Sequence, residues 1–446
     1  MSTASVIEGI LRSFRHGIHP PENKEATEER PIERIPFVQE YVMPLSQHIG
    51  APSVAIVKAG DRVSRGQPIA DPGGFVSVYL HSPVTGIVKA VEPRLHANGK
   101  MMPSVVIQAD PYSSQKVEPV ERPAPESLSN KEFVAQVQKA GLVGLGGAAF
   151  PSHVKLSLPA DKKIEFIVVN GCECEPYLTA DDRLMVERPK QVIRGTRIMM
   201  ENIGAKRAYI GIESNKPRAI SALKSVVPPE IEVVVVETKY PQGAEKMLID
   251  AILKREVPSG GLPLDIGILT NNVGTTAALA DWFDEGVPLI ERVVTVTGPG
   301  IRYPRNLLVP LGTPVSTIVE YCGGLRENTK QVIMGGAMMG MPQKSLDVPV
   351  MKGTSGIIAL TSVFQESAQE YPCIKCGRCV EACPMFLNPT RLAQLAKYER
   401  IDSLVDYHLF DCFECASCSY SCPSNIPLVQ WIRIGKAIVR EAQNKK

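Results

Sequence analysis

The spacing of apolar and polar positions changes character along the chain. From about 36 to 112, short β-branched runs (PSVAIVKAG, RVSRGQPIA, FVSVYLHSP, TGIVKAVEP and PSVVIQAD) are separated by Gly, Asp and Pro turn signals, which predicts a small all-β domain. From 131 to 295, apolar runs at Glu165–Val169, Ala208–Ile212, Glu232–Val236 and Ile266–Thr270 alternate with helix-length amphipathic stretches. That alternation predicts an α/β domain with parallel strands. From 296 to 361 the pattern reads as a small α+β domain: the strand of RVVTVTGPG leads into it, a helix follows Thr313 and Pro314, and QVIMGGAMMG supplies a further strand. From 362 to 446 the chain is dense in cysteine and helical in period, ending in a helix over about Leu428–Ala442. Residues 1–35 are polar and contain proline, so an extended arm is expected, and 113–130 is rich in proline and charge, as a linker is.

A chain of 446 residues exceeds one ordinary core, in keeping with several domains. Its 49 Lys and Arg against 47 Asp and Glu leave no global field to draw it onto nucleic acid or acidic lipid. The segment MSTASVIEGILRSFRHG lacks the apolar core and cleavage site of a signal peptide, and no run of about eighteen apolar residues occurs, so a soluble chain is expected. Of 11 cysteines, eight sit in two tight runs with no export signal, which favours metal over disulfides and a reducing cytoplasm.

The first run is Cys373, Cys376, Cys379 and Cys383 before Pro384; the second is Cys412, Cys415, Cys418 and Cys422 before Pro423. Each is C-x2-C-x2-C-x3-C-P, in which three thiolates wrap one face of an iron–sulfur cube and the fourth ligates the other cube. The expected sets are therefore Cys373, Cys376, Cys379 and Cys422 for one [4Fe-4S] cluster, and Cys383, Cys412, Cys415 and Cys418 for the second. Zinc usually takes paired C-x2-C knuckles instead. Two adjacent cubes carry single electrons.

A second constellation precedes them. In GLVGLGGAAFPSHVK, Gly144, Gly146 and Gly147 allow backbone N–H groups to approach a phosphate or a flat ring, a packing loop being the alternative. The strand-like EFIVVN then leads into N-G-C-E-C-E-P, placing Asn170, Glu173 and Glu175 at a strand's carboxyl end, where open α/β sheets bind ligands.

These residues resemble the flavin-binding subunit of respiratory complex I and its relatives. The family's G-x-G-G-x-G-F-P-x-x-x-K loop is matched by Gly144, Gly146, Gly147, Phe150, Pro151 and Lys155, and its N-A-D-E-x-E-P segment by Asn170 to Pro176. Its tyrosine-glycine-glutamate segment is similar to Tyr240, Gly243 and Glu245, and its N-N-V-x-T segment to Asn271 to Thr275. The resemblance implies a Rossmann-like domain in which Gly144, Gly146, Gly147, Lys155, Asn170, Asn271 and Asn272 hold FMN, with Glu173, Tyr240 and Gly243 in the cofactor site. Phe150, Glu175 and Glu245 would face NAD(H), the two carboxylates nearest the chemistry. Lys155 offers charge to phosphate or reduced flavin, the asparagines read ring edges and Phe150 stacks a ring. Three positions depart from the family: Cys172 stands for an aspartate, Ala149 for the third glycine and Ala244 for a glutamate. Cys172 and Cys174 have no second ligand pair nearby in sequence.

Arg292 to Gly340 resembles the ubiquitin-like, SLBB-like β-grasp domain that follows the flavin domain in that family, with Cys322 read as a small buried hydrophobe. AIVKAGDRVSRGQPIA and LHSPVTGIVKAVEP resemble the halves of a biotinyl or lipoyl barrel-sandwich domain, but the hairpin PGGFVSVYLHSP lacks the lysine of a carrier, so docking or a structural role is expected of it. His16, His19 and His81 are read as packing or turn residues. Arm, barrel-sandwich, flavin domain, β-grasp and C-terminal two-cluster ferredoxin domain together, a multidomain α/β chain, resemble the C component of the Rnf-type (Rsx-type) electron transport complexes. That family implies a peripheral subunit on the cytoplasmic side of the membrane, in an ion-translocating ferredoxin:NAD oxidoreductase, which meets the membrane through partners including an iron–sulfur subunit. An electron adaptor without its own NADH site and a cobalamin-reductase-like protein are the alternatives.

Overall fold

The computed structural model describes residues 11–118, 122–159, 161–362 and 369–444. The start of the expected arm, residues 119–121 of the expected linker and the first part of the expected cluster domain, 363–368, lie outside them.

The arm is extended, as its composition predicts, but it is built into the fold. Arg12 bridges to Val236 and Ile18 pairs with Tyr240, while β1 (Ile32–Arg34) adds a parallel edge strand to a sheet formed far along the chain.

The next unit is all β. Strands β2 (Glu40–Pro44), β3 (Val54–Ala55), β4 (Arg62–Val63), β5 (Pro68–Asp71), β6 (Leu80–His81), β7 (Gly86–Leu95) and β8 (Met101–Ala109) form two antiparallel sheets, ordered β2-β8-β7-β4 and β3-β5-β6. The hairpin that lacks a carrier lysine packs on the following unit: Phe75 O lies 2.8 Å from His153 Nε2, and Ser77 O accepts from Gln138 at 3.0 Å. His81 is buried, and burial lowers its pKa to about 3.

The α/β unit begins with α1 (Asn130–Lys139), whose start is fixed by a reciprocal Ser129–Glu132 capping box. It continues through α2 (Ser152–Leu156), β9 (Phe166–Asn170), α3 (Ala180–Glu187), α4 (Pro189–Ile203), β10 (Arg207–Glu213), α5 (Pro217–Lys224), β11 (Ile231–Val236), α6 (Glu245–Leu253), β12 (Ile268–Asn272) and α7 (Val273–Ala280). The four strands are all parallel in the order β11-β10-β9-β12, and the near-continuous apolar runs at β9 and β10 suit strands covered on both faces. Helix α4 starts with Pro189 and stops at left-handed Gly204. A Cβ on Gly195 would stand 1.8 Å from Thr276 O, so glycine is what lets α4 cross α7 so closely.

The expected domain boundary after residue 295 falls inside a strand, β13 (Glu291–Thr297). With β14 (Arg305–Pro310), α8 (Val315–Tyr321), β15 (Gln331–Met334), β16 (Met341–Gln343) and β17 (Gly356–Leu360) it builds a six-stranded mixed sheet ordered β1-β14-β13-β17-β15-β16. This unit is not separately cored: Tyr41, Ile69 and Val105 of the β unit pack in one cluster with Val294, Leu307 and Val315. Cys322 is buried in the same cluster.

The last unit is helical, with α9 (Arg378–Glu381), α10 (Pro389–Lys397), α11 (Ile401–Asp406), α12 (Ser417–Tyr420) and α13 (Leu428–Asn444). Its two halves repeat at one constant offset. Left-handed backbone recurs at Lys375 and Glu414, at Gly377 and Ala416, and at Phe386 and Asn425, so the cysteine duplication is also a duplication of chain path.

Candidate functional site

A cleft of about 990 Å³ opens where all four units meet. Its walls include Gln47 and His48 of the β unit, Gly146 and Gly147 of the glycine loop, Gly336 and Met339 of the mixed sheet, and Phe410, Asp411 and Phe413 beside the second cysteine run. Of the residues singled out above, the structure brings Gly146, Gly147, Asn170, Glu173, Glu175, Tyr240, Gly243, Glu245 and Asn272 to this cleft. Gly144, Phe150, Lys155 and Asn271 are not among its walls.

The glycine loop is closed at its base by Gly144 N–H donating to Phe150 O at 2.8 Å and Ala149 N–H donating back to Gly144 O at 3.1 Å. Its tip, Gly146 to Ala148, is exposed, and Gly147 holds a φ of 106° with open space where a Cβ would stand. Backbone N–H groups in an open loop of this kind are able to approach an anion closely. Lys155, on α2, pairs with Glu245 at 2.6 Å, Glu245 also accepting from Thr270.

The asparagines expected to read a ring edge are used by the scaffold. Asn170 donates to Gly243 O at 2.7 Å and accepts from Cys172 N at 3.1 Å, stitching two turns together. Asn272 caps α7 through Gly274 N at 2.8 Å and donates to Asp181 at 2.7 Å. Asn271 turns toward Met199 on α4.

Both glutamates of the N-G-C-E-C-E-P turn accept backbone N–H groups. Glu173 takes Asp181 N and Asp182 N at 2.9 and 3.0 Å, capping α3. Glu175 takes Met338 N and Met339 N at 2.8 and 3.0 Å, from the loop after β15, and a Cβ on Gly336 would lie 2.2 Å from its carboxyl carbon. Burial pushes Glu175 up to about 7 even though those amides favour its charge. Asp181, not singled out from the sequence, lines the cleft and is pushed to about 7 by burial and by the charge of Glu173. The acid pair in TADDR was its only sequence signal. Cys174 also lines the cleft, its sulfur accepting Gly243 N–H at 3.1 Å, and burial raises its pKa.

The cluster module shares a wall with this cleft. Tyr240 donates through its hydroxyl to Cys415 O at 2.8 Å, and Asp411 accepts from Ser259 at 2.5 Å. Cys383 lies near enough to Cys412, Cys415, Cys418 and also Cys379 for their charges to interact, while Cys422 packs against a side-chain cluster that holds both Cys379 and Cys418. Each run has two buried cysteines, Cys379 and Cys383 in the first and Cys415 and Cys418 in the second, and Cys376 in the first is exposed. Among the described residues no set of three or more His, Cys, Asp and Glu closes to a single-ion site; the thiolate-rich donor set, repeated about its left-handed turns, suits cubes.

Fold and site together describe a flavin-type α/β unit coupled to an iron–sulfur module, and sequence comparison agrees. Residues 12–112 match the RnfC barrel sandwich hybrid domain, 137–281 the Nuo51 FMN-binding domain, 293–342 the SLBB domain and 372–426 the 4Fe-4S dicluster domain. The chain is 44% identical over 441 residues to the C component of the proton-translocating ferredoxin:NAD(+) oxidoreductase complex of Clostridium ljungdahlii, covering 98% of this chain and 96% of that protein. It is 44% identical over 428 residues to the Na(+)-translocating counterpart of Acetobacterium woodii, covering 95% and 96%, and 43% identical over 440 residues to the C component of the ion-translocating oxidoreductase complex of Rhodobacter capsulatus, covering 97% and 84%. The chain belongs to this RnfC family of components of ion-translocating oxidoreductase complexes.

Proposed function

We propose that this chain exchanges hydride between NAD(H) and FMN in the cleft and passes single electrons through its two clusters, as the peripheral subunit of a ferredoxin:NAD oxidoreductase complex. The observation that carries the reading is the shared wall: the glycine loop, the glutamate turn and the residues flanking Cys412 line one space. Bound FMN supplies the conversion between two-electron hydride chemistry and one-electron transfer. The amides of Gly146 and Gly147, with Lys155, would hold its phosphate end, and Asn170 and Asn272 would fix the turns at the edge of its site. Glu175 and Glu245 would face the nucleotide with Phe150 at the loop's base.

The crossed cysteine sets support an inner cluster on Cys383, Cys412, Cys415 and Cys418 beside the cleft, and an outer one on Cys373, Cys376, Cys379 and Cys422 toward the surface. The parallel sheet supports a Rossmann-like reading of 131–295, and the mixed sheet with α8 supports a β-grasp reading of the unit after it. No helix among the described residues is long and apolar enough to cross a membrane, which accords with a peripheral protein attached to the cytoplasmic face through partners, an iron–sulfur subunit among them. The adaptor alternative draws on one observation: the carboxylates of Glu175 and Glu245 are already engaged within the chain.

An anaerobic NADH titration of protein reconstituted with iron, sulfide and FMN separates the two. Flavin bleaching followed by paramagnetic cluster signals is expected; bound FMN that NADH does not bleach would leave an adaptor.

A further inference from the structure

The turn from Glu173 to Leu178 puts Glu173, Cys174 and Glu175 into the cleft, yet its backbone is in an uncomfortable conformation. Glu173 and Tyr177, neither of them glycine, hold φ values of 48° and 71°. Side chains disfavour that region, so the conformation persists only where surrounding contacts impose it. Part of the imposition comes from the far end of the chain. Lys24, 5% exposed, donates to Glu173 O at 2.9 Å, Glu175 O at 3.0 Å and Leu178 O at 2.5 Å. Glu22 O accepts Tyr177 N–H at 2.8 Å, and Thr27 meets Thr179 at 2.8 Å.

An ammonium carries three N–H donors that can converge on one small volume. Here three carbonyls of one turn meet them, and among the described residues Lys24 forms no salt bridge to a carboxylate. Lys216, Glu173 and Glu213 act on it electrostatically, and Lys216 itself pairs with Glu213 at 3.0 Å. Lys24 thus acts on the shape of the turn. The planar fork of arginine spreads its donors and has no such convergence.

We infer that Lys24 is a positioning residue for the cleft: its three hydrogen bonds hold the 173–178 turn so that the Glu175 carboxylate and the Cys174 side chain stand where the nucleotide is bound. The arm is thereby a working part of the site. This inference rests on the reading of the cleft as a flavin and NADH site, but the clamp itself can be tested without that reading.

The test compares full-length wild type, Lys24→Met and Lys24→Arg, reconstituted with FMN, iron and sulfide. Hydrogen exchange is followed in peptides covering 171–179 and, as an internal standard, strand β10. NADH oxidation is followed with ferricyanide as acceptor. In Lys24→Met, exchange in 171–179 is expected to quicken by about tenfold or more while β10 stays protected. The NADH KM is expected to rise by about tenfold with kcat within about threefold, the pattern of lost binding geometry. Lys24→Arg is expected not to rescue either reading. Unchanged exchange in Lys24→Met, or full rescue by arginine, overturns the inference. Should the methionine variant fail to fold, Lys24→Gln, which keeps two donors, is expected to give the local exchange change; uniform loss of protection in that variant also overturns it. A wild-type protein that binds FMN but does not oxidise NADH sinks the functional reading and leaves exchange to decide the clamp.

Discussion

The hydroxyl of Tyr240 donates to the carbonyl oxygen of Cys415 at 2.8 Å, and both residues are buried. A residue expected to touch cofactor is therefore also the fastening between the α/β unit and the second cysteine run. Tyr240→Phe should cost about 1–2 kcal/mol, since the Cys415 carbonyl loses its buried partner. Stopped-flow measurement should show flavin reduction by NADH nearly unchanged and reduction of the clusters slowed. Equal rates in both proteins would show that this bond does not set the approach of cluster to cleft.

The two clusters should respond differently to ligand loss. Cys376 is exposed and Cys415 buried next to the cleft. Cys376→Ser should remove or distort the outer cluster while leaving bleaching by NADH and one cluster signal intact. Cys415→Ser should leave bleaching but cut off both clusters from NADH. If the two variants lost the same signal, the inner and outer assignments would be wrong.

Glu175 gives a pH dependence with a definite sign. Burial raises its pKa from 4.5 to about 7, so the folded protein binds a proton more tightly than the unfolded chain. Its favourable contribution is complete below about pH 4.5 and is lost as pH rises through about 7. Glu175→Gln should remove that decline, a difference of roughly 3 kcal/mol between the ends of the window, as followed by urea unfolding at a series of pH values. Parallel curves for the two proteins would show that the carboxyl is not protonated on folding.

Glu245 and Lys155 form a part-exposed pair at 2.6 Å. Such pairs contribute about 0–1 kcal/mol, so Glu245→Ala should barely move the melting temperature. Titration should nonetheless show NADH weakened by about tenfold and FMN by much less. An equal loss of both would count against a role for Glu245 at the nucleotide.

What the sequence determined by itself is what a local spacing can hold. Cys-x2-Cys-x2-Cys-x3-Cys-Pro imposes a particular chain path, and the same left-handed turns recur at Lys375 and Glu414. The parallel strands were legible because β9 through β12 are bounded apolar runs between amphipathic helices. The glycine loop was legible because three glycines stand close together in it, and Gly147 holds a φ of 106° that side chains rarely adopt. Tertiary structure decided the rest, because those contacts join residues that no period relates. Ile32 to Arg34 have too few apolar positions to announce a strand, and become one only because β14 offers an unpaired edge. The β unit and the mixed sheet look separable in sequence, yet Tyr41 and Leu307 share a core, since neither unit covers its apolar face alone. Lys24 lies in a polar, proline-containing stretch that reads as solvated arm; burial beside three carbonyls of the 173–178 turn makes it part of the site. Asp181 is one acid of a pair in sequence; burial at the start of α3 and the charge of Glu173 raise its pKa, against the hydrogen bond from Asn272. Local chemistry thus names the groups able to carry electrons, and long-range packing decides which of them face one another.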